Sequence, residues 1–395
     1  MLNVAILGFG TVGSGVAEVL TMNKELLAKK VGQELNVKYI LDTREFPGNP
    51  FESKIIHDFS VIENDPEVQL VAECIGGATI AYEFVKKCLQ AGKHVATSNK
   101  ELVAVKGYEL LQIAKEKNVN FFFEASVGGG IPVLRPLSFD LAGNEITQVA
   151  GIMNGTTNYI LTKMLGEGAA FADVLKDAQA KGYAEANPAA DVEGLDACRK
   201  TCILSALSFG FHVYPDMVPT EGITKITEED VAIAASANMK IKLLGRTMLT
   251  ADGKVCAFVA PNFIPVSCPL AHVDDVFNAI LVRGNAVNET MFYGPGAGKL
   301  PTASAVVGDL ADAAWHLTAR RDLDWADADE SKMMNVRDLE LPYIVRTNEP
   351  ADKVMAALGE AEKLAADGYK LAKPMTLAQI EASGLQLTAV RPVFA

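Results

Sequence analysis

Positive charge is in short supply. There are 36 Lys and Arg against 49 Asp and Glu, a net charge of -13 over 395 residues. Nucleic-acid binding needs clustered cations facing the phosphates, so no nucleic-acid partner is expected. Long apolar runs are lacking too. No stretch approaches the ~18 uninterrupted apolar residues of a membrane span, so no membrane partner is expected. The apolar start at Met1–Leu7 carries no basic segment, since the first lysine is Lys24. Glycines then break the run, so it does not read as a secretion signal. Only six cysteines occur, Cys74, Cys88, Cys198, Cys202, Cys256 and Cys268, scattered in apolar surroundings. That usage suits reduced, buried thiols of a cytoplasmic protein and not a disulfide framework. Cys198 and Cys202 lie four apart, yet no second Cys or His pair with zinc spacing accompanies them. The five histidines stand outside the glycine motifs, and no Ser-His or Cys-His arrangement is visible. Acid–base work therefore falls to lysine and carboxylates. No internal repeat or low-complexity tract interrupts the chain.

What is present begins at once. Leu2–Leu7 is an apolar run of strand length, followed by Gly8-Phe9-Gly10-Thr11-Val12-Gly13 and an apolar helical pattern through Val16, Val19 and Leu20. Strand, glycine turn and helix is the setting in which GxGxxG marks a dinucleotide-binding fold. Gly8 permits the turn, Gly10 lets a pyrophosphate approach the backbone, and Gly13 lets helix and strand pack closely. The helix N-terminus supplies N–H donors and positive dipole to the phosphates, and Phe9, Thr11 and Val12 count with the glycines as cofactor-binding. A tight turn without ligand is the plainer alternative.

Residues 1 to about 130 alternate short apolar runs with helical patterns, as βαβ units do. Val37–Leu41, Gln69–Ile75, His94–Thr97 and Asn120–Glu124 read as strands. Ligands of such sheets bind at the carboxyl ends of the strands, which nominates Gly76, Gly77, Ser98, Asn99 and Lys100. Asp42 ends the second strand, where an acid bonds the ribose 2′-hydroxyl and favours NAD. Arg44, two residues on, would instead meet a 2′-phosphate and favour NADP. The two cues conflict.

Past residue 135 the pattern changes. Ile146–Met153 reads as a strand, a helix-rich stretch runs to about 210, and residues 255 to 293 look β-rich. A second glycine turn, Gly294-Pro295-Gly296-Ala297-Gly298, precedes a long apolar helix from Thr302 to Arg320. The expected fold is α/β, a Rossmann-type doubly wound nucleotide domain over 1–135 and an α/β substrate-binding and dimerisation domain over 136–300. A helix over 301–338 would return to the nucleotide domain, and 339–395 would form a short C-terminal segment.

Asp196 and Lys200 are i and i+4 on one predicted helix. On a surface this is an ion pair worth a few tenths of a kcal/mol. From Leu195 onward, however, the helix is apolar on most faces, as buried helices are. A buried lysine beside carboxylates is a functional candidate; both readings stand at this point. Lys100 follows a strand end and opens a helix, where a cation is not the favoured charge. Glu185 lies in a turn-rich loop after Gly182, where an acid is most often simply solvated.

Together these segments resemble homoserine dehydrogenase over residues 1 to about 335. The motifs carrying the resemblance are Gly8-x-Gly10-x-x-Gly13, Thr97-Ser98-Asn99-Lys100, Glu124-Ala125-Ser126-Val127-Gly128-Gly129-Gly130-Ile131-Pro132, Gly151–Tyr159, and Gly182-Tyr183-Ala184-Glu185 through Asp196 to Lys200. Gly294–Gly298 with Pro301-Thr302-Ala303 fits as well. The resemblance implies NAD- or NADP-dependent interconversion of L-aspartate 4-semialdehyde and L-homoserine, in threonine and methionine biosynthesis. It implies Lys200 as proton donor, Lys100 touching cofactor and substrate, and Glu185, Asp196 and Gly182 as substrate-binding. Ser98 and Gly298 join Gly8–Gly13, Asp42 and Arg44 at the cofactor. Glu124, Val127, Gly129 and Ile131 would ligate a structural sodium ion, mostly through backbone carbonyls, and a homodimer is expected. Two departures stand out. Leu41 occupies a position where many members carry Arg. The residues from Leu341 look like the first strand and helix of a regulatory ACT domain, but the remaining length is short for a full repeat.

Overall fold

The computed structural model describes residues 1–394. It divides into two compact units, one of Met1–Gly143, Ala206–Tyr214 and Gly294–Ala328, the other of Asn144–Ser205, Pro215–Tyr293 and the chain from Asp329 onward. The crossing points differ from residues 135 and 300. The segment after 135 stays in the first unit, where the Arg321 guanidinium lies over the Phe139 ring at 4.6 Å.

In the first unit β1 (Leu2–Leu7), β2 (Leu35–Leu41), β3 (Ile55–Ile56), β4 (Val68–Glu73), β5 (His94–Thr97) and β6 (Phe121–Phe122) form one sheet in the order β3-β2-β1-β4-β5-β6. Every pair in it is parallel. A parallel sheet is covered on both faces, so its central strands carry near-continuous apolar runs, and Val4–Leu7 and Leu70–Ala72 are fully buried. The order reverses direction beside β1, the switch point where a doubly wound sheet holds its ligand. The expected strand at Asn120–Glu124 shrinks to two residues, because Glu124–Ser126 turns into a 3-10 helix.

The second unit is built on β7 (Ile146–Ile152), β8 (Met239–Leu249), β9 (Val255–Pro265), β10 (Phe277–Gly284) and β11 (Asn288–Pro295), in the order β11-β10-β7-β8-β9. A third sheet comprises β12 (Tyr343–Arg346), β13 (Ala361–Lys363), β14 (Gly368–Leu371) and β15 (Ala389–Pro392), in the order β13-β14-β12-β15 with antiparallel pairs. Helices Ala351–Leu358 and Leu377–Glu381 complete a full βαββαβ repeat. Length was no obstacle, because strands of three and four residues close the sheet. This module shares a core with β8 and β9: Tyr343, Val345, Val354 and Tyr369 pack with Met248, Cys256 and Phe258.

Candidate active site

The glycine turn has the geometry its spacing requires. Gly8 sits at φ +89°, and a Cβ on Gly13 would lie 1.9 Å from the Gly8 carbonyl oxygen. Gly10 faces open space, with no atom within 4 Å of where a Cβ would stand. Gly10 is the N-cap of the Thr11–Met22 helix, and no side chain among the described residues caps it. Its orphan N–H groups suit an anion. The Lys299–Trp315 helix starts in the same way, at Gly298, and packs closely enough that a Cβ on Gly15 would meet the Lys299 carbonyl oxygen at 2.8 Å. This donor set, open space beside a backbone rich in unpaired N–H groups, fits a dinucleotide pyrophosphate.

At the ribose end Asp42 is heavily occupied. Its Oδ2 accepts from Phe9 N at 2.7 Å and Arg44 Nη2 at 3.0 Å; its Oδ1 accepts from Arg44 N and Nε, each at 3.0 Å. The Arg44 guanidinium holds this carboxyl well below the usual carboxylate range. Arg44 lies over the Phe46 ring at 5.1 Å. His57, set aside with the other histidines in the sequence reading, donates Nδ1–H to the Asp42 carbonyl at 2.7 Å and bonds Glu45 Oε1 through Nε2 at 2.9 Å. Both partners only accept, so the ring meets them best as imidazolium, and its pKa is raised, chiefly by the Asp42 carbonyl.

At the carboxyl ends of β4 and β5 a buried chain of hydrogen bonds organises the crevice. Glu73 accepts from Ile75 N at 2.6 Å and from the Thr97 hydroxyl, and Thr97 Oγ1 accepts from Asn99 N at 2.9 Å. Burial pushes the Glu73 carboxyl up to about 7. Asn99 donates to the carbonyls of Ile75 and Gly77 and caps the Lys100–Glu116 helix through Leu102 N. Lys100 is the first residue of that helix, half-buried, and Ser98 precedes the cap.

In the second unit a Cβ on Gly245 of β8 would fall 2.1 Å from Thr201 Oγ1. The glycine therefore lets the Leu195–Phe209 helix lie directly on the strand. That contact brings Lys200, next to Thr201, to the end of β7. Its Nζ donates to the Met153 carbonyl at 2.6 Å and to Asp196 Oδ2 at 2.7 Å. Lys200 is 7% and Asp196 5% exposed, which discards the surface ion-pair reading. Asn154 donates to Asp196 and also to Asp191; Asn154 and Asp191 are residues the sequence reading did not nominate as functional. Thr156 Oγ1 donates to the Tyr183 carbonyl at 2.6 Å, tying down the loop that carries Gly182 and the exposed Glu185. Lys100 and Lys200 belong to different units.

The glycine-rich loop after Glu124 lies in the first unit. A Cβ on Gly129 would meet the Gly296 carbonyl oxygen at 2.4 Å, so two glycine turns touch there. The Glu124 carboxylate accepts from Val133 N at 2.6 Å, Leu134 N at 2.8 Å and Arg135 N at 2.7 Å. Three of its about four lone-pair sites are thus taken, so a cation here would draw mainly on backbone carbonyls, that of Glu124 included. Among the described residues no three His, Cys, Asp or Glu side chains cluster as metal ligands.

A parallel sheet in dinucleotide-binding order, an open glycine turn at its switch point and a buried lysine–aspartate pair define the class: a nicotinamide-dinucleotide-binding oxidoreductase. Comparison with known proteins narrows this. The family model "Homoserine dehydrogenase, NAD binding domain" matches residues 8–124, and "Homoserine dehydrogenase" matches residues 132–311. Homoserine dehydrogenase of Bacillus subtilis is 44% identical over 314 residues, 78% of this chain and 72% of the relative. A homoserine dehydrogenase crystal structure from Thiobacillus denitrificans superposes with a TM-score of 0.88 at 35% identity, covering 99% of this chain and 97% of that one. A hyperthermophilic archaeal homoserine dehydrogenase in complex with NADPH superposes at a TM-score of 0.65 and 29% identity, over 79% of this chain and 97% of that one. The chain belongs to the homoserine dehydrogenase family.

Proposed function

We propose that this chain interconverts L-homoserine and L-aspartate 4-semialdehyde with Lys200 as the proton donor and acceptor. The observation that carries this is the buried Lys200, held between Asp196 and the Met153 carbonyl. A bound nicotinamide supplies the hydride for reduction and accepts it in oxidation. As the aldehyde oxygen gains charge, the Lys200 ammonium stabilises it and delivers its proton; in reverse, the amine takes the hydroxyl proton. Asp196 and Glu185 pair with the substrate's ammonium, with Gly182 setting the loop that carries Glu185. Lys100, at the Ser98–Lys100 strand end, serves cofactor and substrate. Gly8–Gly13 and Gly298 receive the pyrophosphate, and Asp42 and Arg44 set the ribose end of NAD or NADP.

The archaeal relative's NADPH complex and the shared family support the cofactor class. Membership also supports a place in threonine and methionine biosynthesis. No helix among the described residues is long and apolar enough to cross a membrane, and a cytoplasmic location is proposed with the pathway. A homodimer is proposed from the family; Phe277 and Tyr293, stacked at 5.3 Å on β10 and β11 and both exposed, are the apolar face offered to it. A structural sodium ion is proposed on the carbonyls of Glu124, Val127, Gly129 and Ile131.

The test is the initial rate of homoserine oxidation with NAD and NADP in parallel. Lys200→Ala is expected to lower kcat by a factor on the order of 10²–10⁴, with dinucleotide affinity within about twofold of wild type. Near-normal turnover in that variant removes Lys200 from the mechanism. No homoserine-dependent reduction by folded wild-type protein rejects the reaction itself. The same rates in sodium, potassium and choline chloride read the cation, and sedimentation velocity reads the dimer.

A further inference from the structure

Asn154 follows β7 at the point where the residues around Lys200 converge. Its Oδ1 accepts the N–H of Thr157 at 2.9 Å and so caps the Gly155–Glu167 helix. Its Nδ2 donates to Asp191 Oδ1 at 2.7 Å and to Asp196 Oδ2 at 3.0 Å. That Asp196 oxygen also accepts from Lys200 Nζ, and Lys200 bonds the carbonyl of Met153, the residue before Asn154. The side chain is buried, at 7% exposure.

Only an amide meets all these demands. It offers an acceptor, two donors and no charge. Aspartate at 154 would still cap the helix, since Asn and Asp are equivalent there. It would have no hydrogen to donate, and it would set a third carboxylate against Asp191 and Asp196. Alanine would lose both cap and donation. Asn99 divides its labour in the same way ahead of Lys100, capping a helix with Oδ1 and donating through Nδ2 to the Ile75 and Gly77 carbonyls.

We infer that Asn154 is a positioning residue: its amide gathers the Asp191 and Asp196 carboxylates to one point and fixes the Asp196 oxygen that aims the Lys200 ammonium. Strand β7, not the long helix alone, thereby orients the lysine. The inference rests on Lys200 being the proton donor.

The experiment compares Asn154→Asp and Asn154→Ala in the full chain, measuring thermal melting, dinucleotide affinity, and kcat and KM for homoserine as ratios to wild type between pH 6 and 9. For Asn154→Asp we expect folded protein, unchanged dinucleotide affinity and a kcat about 100-fold down at pH 8. A carboxyl set between two others takes up a proton more readily than a solvated one, and once protonated it can donate a hydrogen bond. The deficit is therefore expected to shrink to about tenfold at pH 6. Asn154→Ala should show a loss that does not change with pH. Should the aspartate variant not fold, Asn154→Ser keeps a capping oxygen and donates at most one hydrogen bond, and a kcat loss without recovery at low pH is expected. Turnover within threefold of wild type in the folded aspartate or serine variant overturns the inference. So do equal deficits for aspartate and alanine at every pH, which would mean a cap and nothing more. Lys200→Ala separates the two levels. If it retains turnover, the reading of Lys200 fails; if it is inactive while Asn154→Asp is normal, only the role of Asn154 fails.

Discussion

Asp42 and Arg44 show how a residue's chemistry depends on what already occupies it. An ionised carboxylate has about four lone-pair sites, and at Asp42 four N–H groups already point at them. A ribose 2′-hydroxyl would have to displace one of these donors. A 2′-phosphate would not, and the outer edge of the Arg44 guanidinium is of the right charge for it. Arg44→Ala opens the carboxylate and removes that cation. We expect the preference for NADP over NAD, as the ratio of dissociation constants from equilibrium titration, to fall about tenfold, or roughly 1.4 kcal/mol. A ratio unmoved by the substitution would take Arg44 out of cofactor choice. Gly8, Gly10 and Gly13 were legible as a motif, because a glycine turn of fixed spacing between strand and helix leaves few other purposes. The capture of Asp42 by Arg44 was not, since whether two neighbours in sequence face each other or a ligand is set by the turn between them. His57 lies fifteen residues from Asp42, and only the pairing of β2 with β3 brings it there.

Among the elements, the β4 and β5 ends carry a pH dependence. Burial raises the Glu73 carboxyl from 4.5 to about 7. A group raised on folding contributes stability that is complete below its unfolded value and is lost as the pH rises through the folded one. Glu73 thus favours the fold fully below about pH 4.5, with the contribution lost up to about pH 7. Glu73→Gln cannot ionise, so its stability relative to wild type is expected to rise across that window, by a span on the order of 3 kcal/mol, and then level off. Urea midpoints of the two proteins from pH 5 to 8 check this; parallel curves would show that Glu73 does not titrate there. Strands β1, β2, β4 and β5 were readable because short apolar-rich runs alternating with helical patterns mark βαβ units. Strand β8 was not, because Lys242 and Arg246 interrupt it. Lys242 is buried only by grace of Asn158, Asp274 and the Val273 carbonyl, and Arg246 lies between the Phe258 and Phe394 rings.

For the molecule as a whole, the C-terminal repeat is part of the second unit. It buries Met248, Cys256 and Phe258 under Tyr343, Val345 and Val354, and Phe394 N donates to the Phe263 carbonyl at 2.8 Å. Ending the chain after Asp338 would expose that face. At about 1.5–3 kcal/mol for each large apolar side chain returned to water, the second unit should lose on the order of 5 kcal/mol. Calorimetry of the truncated chain is expected to show a lowered transition or aggregation; an unchanged transition would make the repeat an independent appendage.

The sequence by itself determined the dinucleotide turn, the parallel sheet behind it and the candidate lysines, since these follow from local spacing, periodicity and a recognisable order of motifs. Only the tertiary structure decided that the Lys200–Asp196 pair is buried, that Asp42 is already bound, that Glu124 serves backbone N–H groups, and that Asn154 joins Asp191 to Asp196. Each depends on partners distant in the chain or on a choice between solvent and protein, and burial, which sets the strength of every such contact, arises only when the sheets close over them.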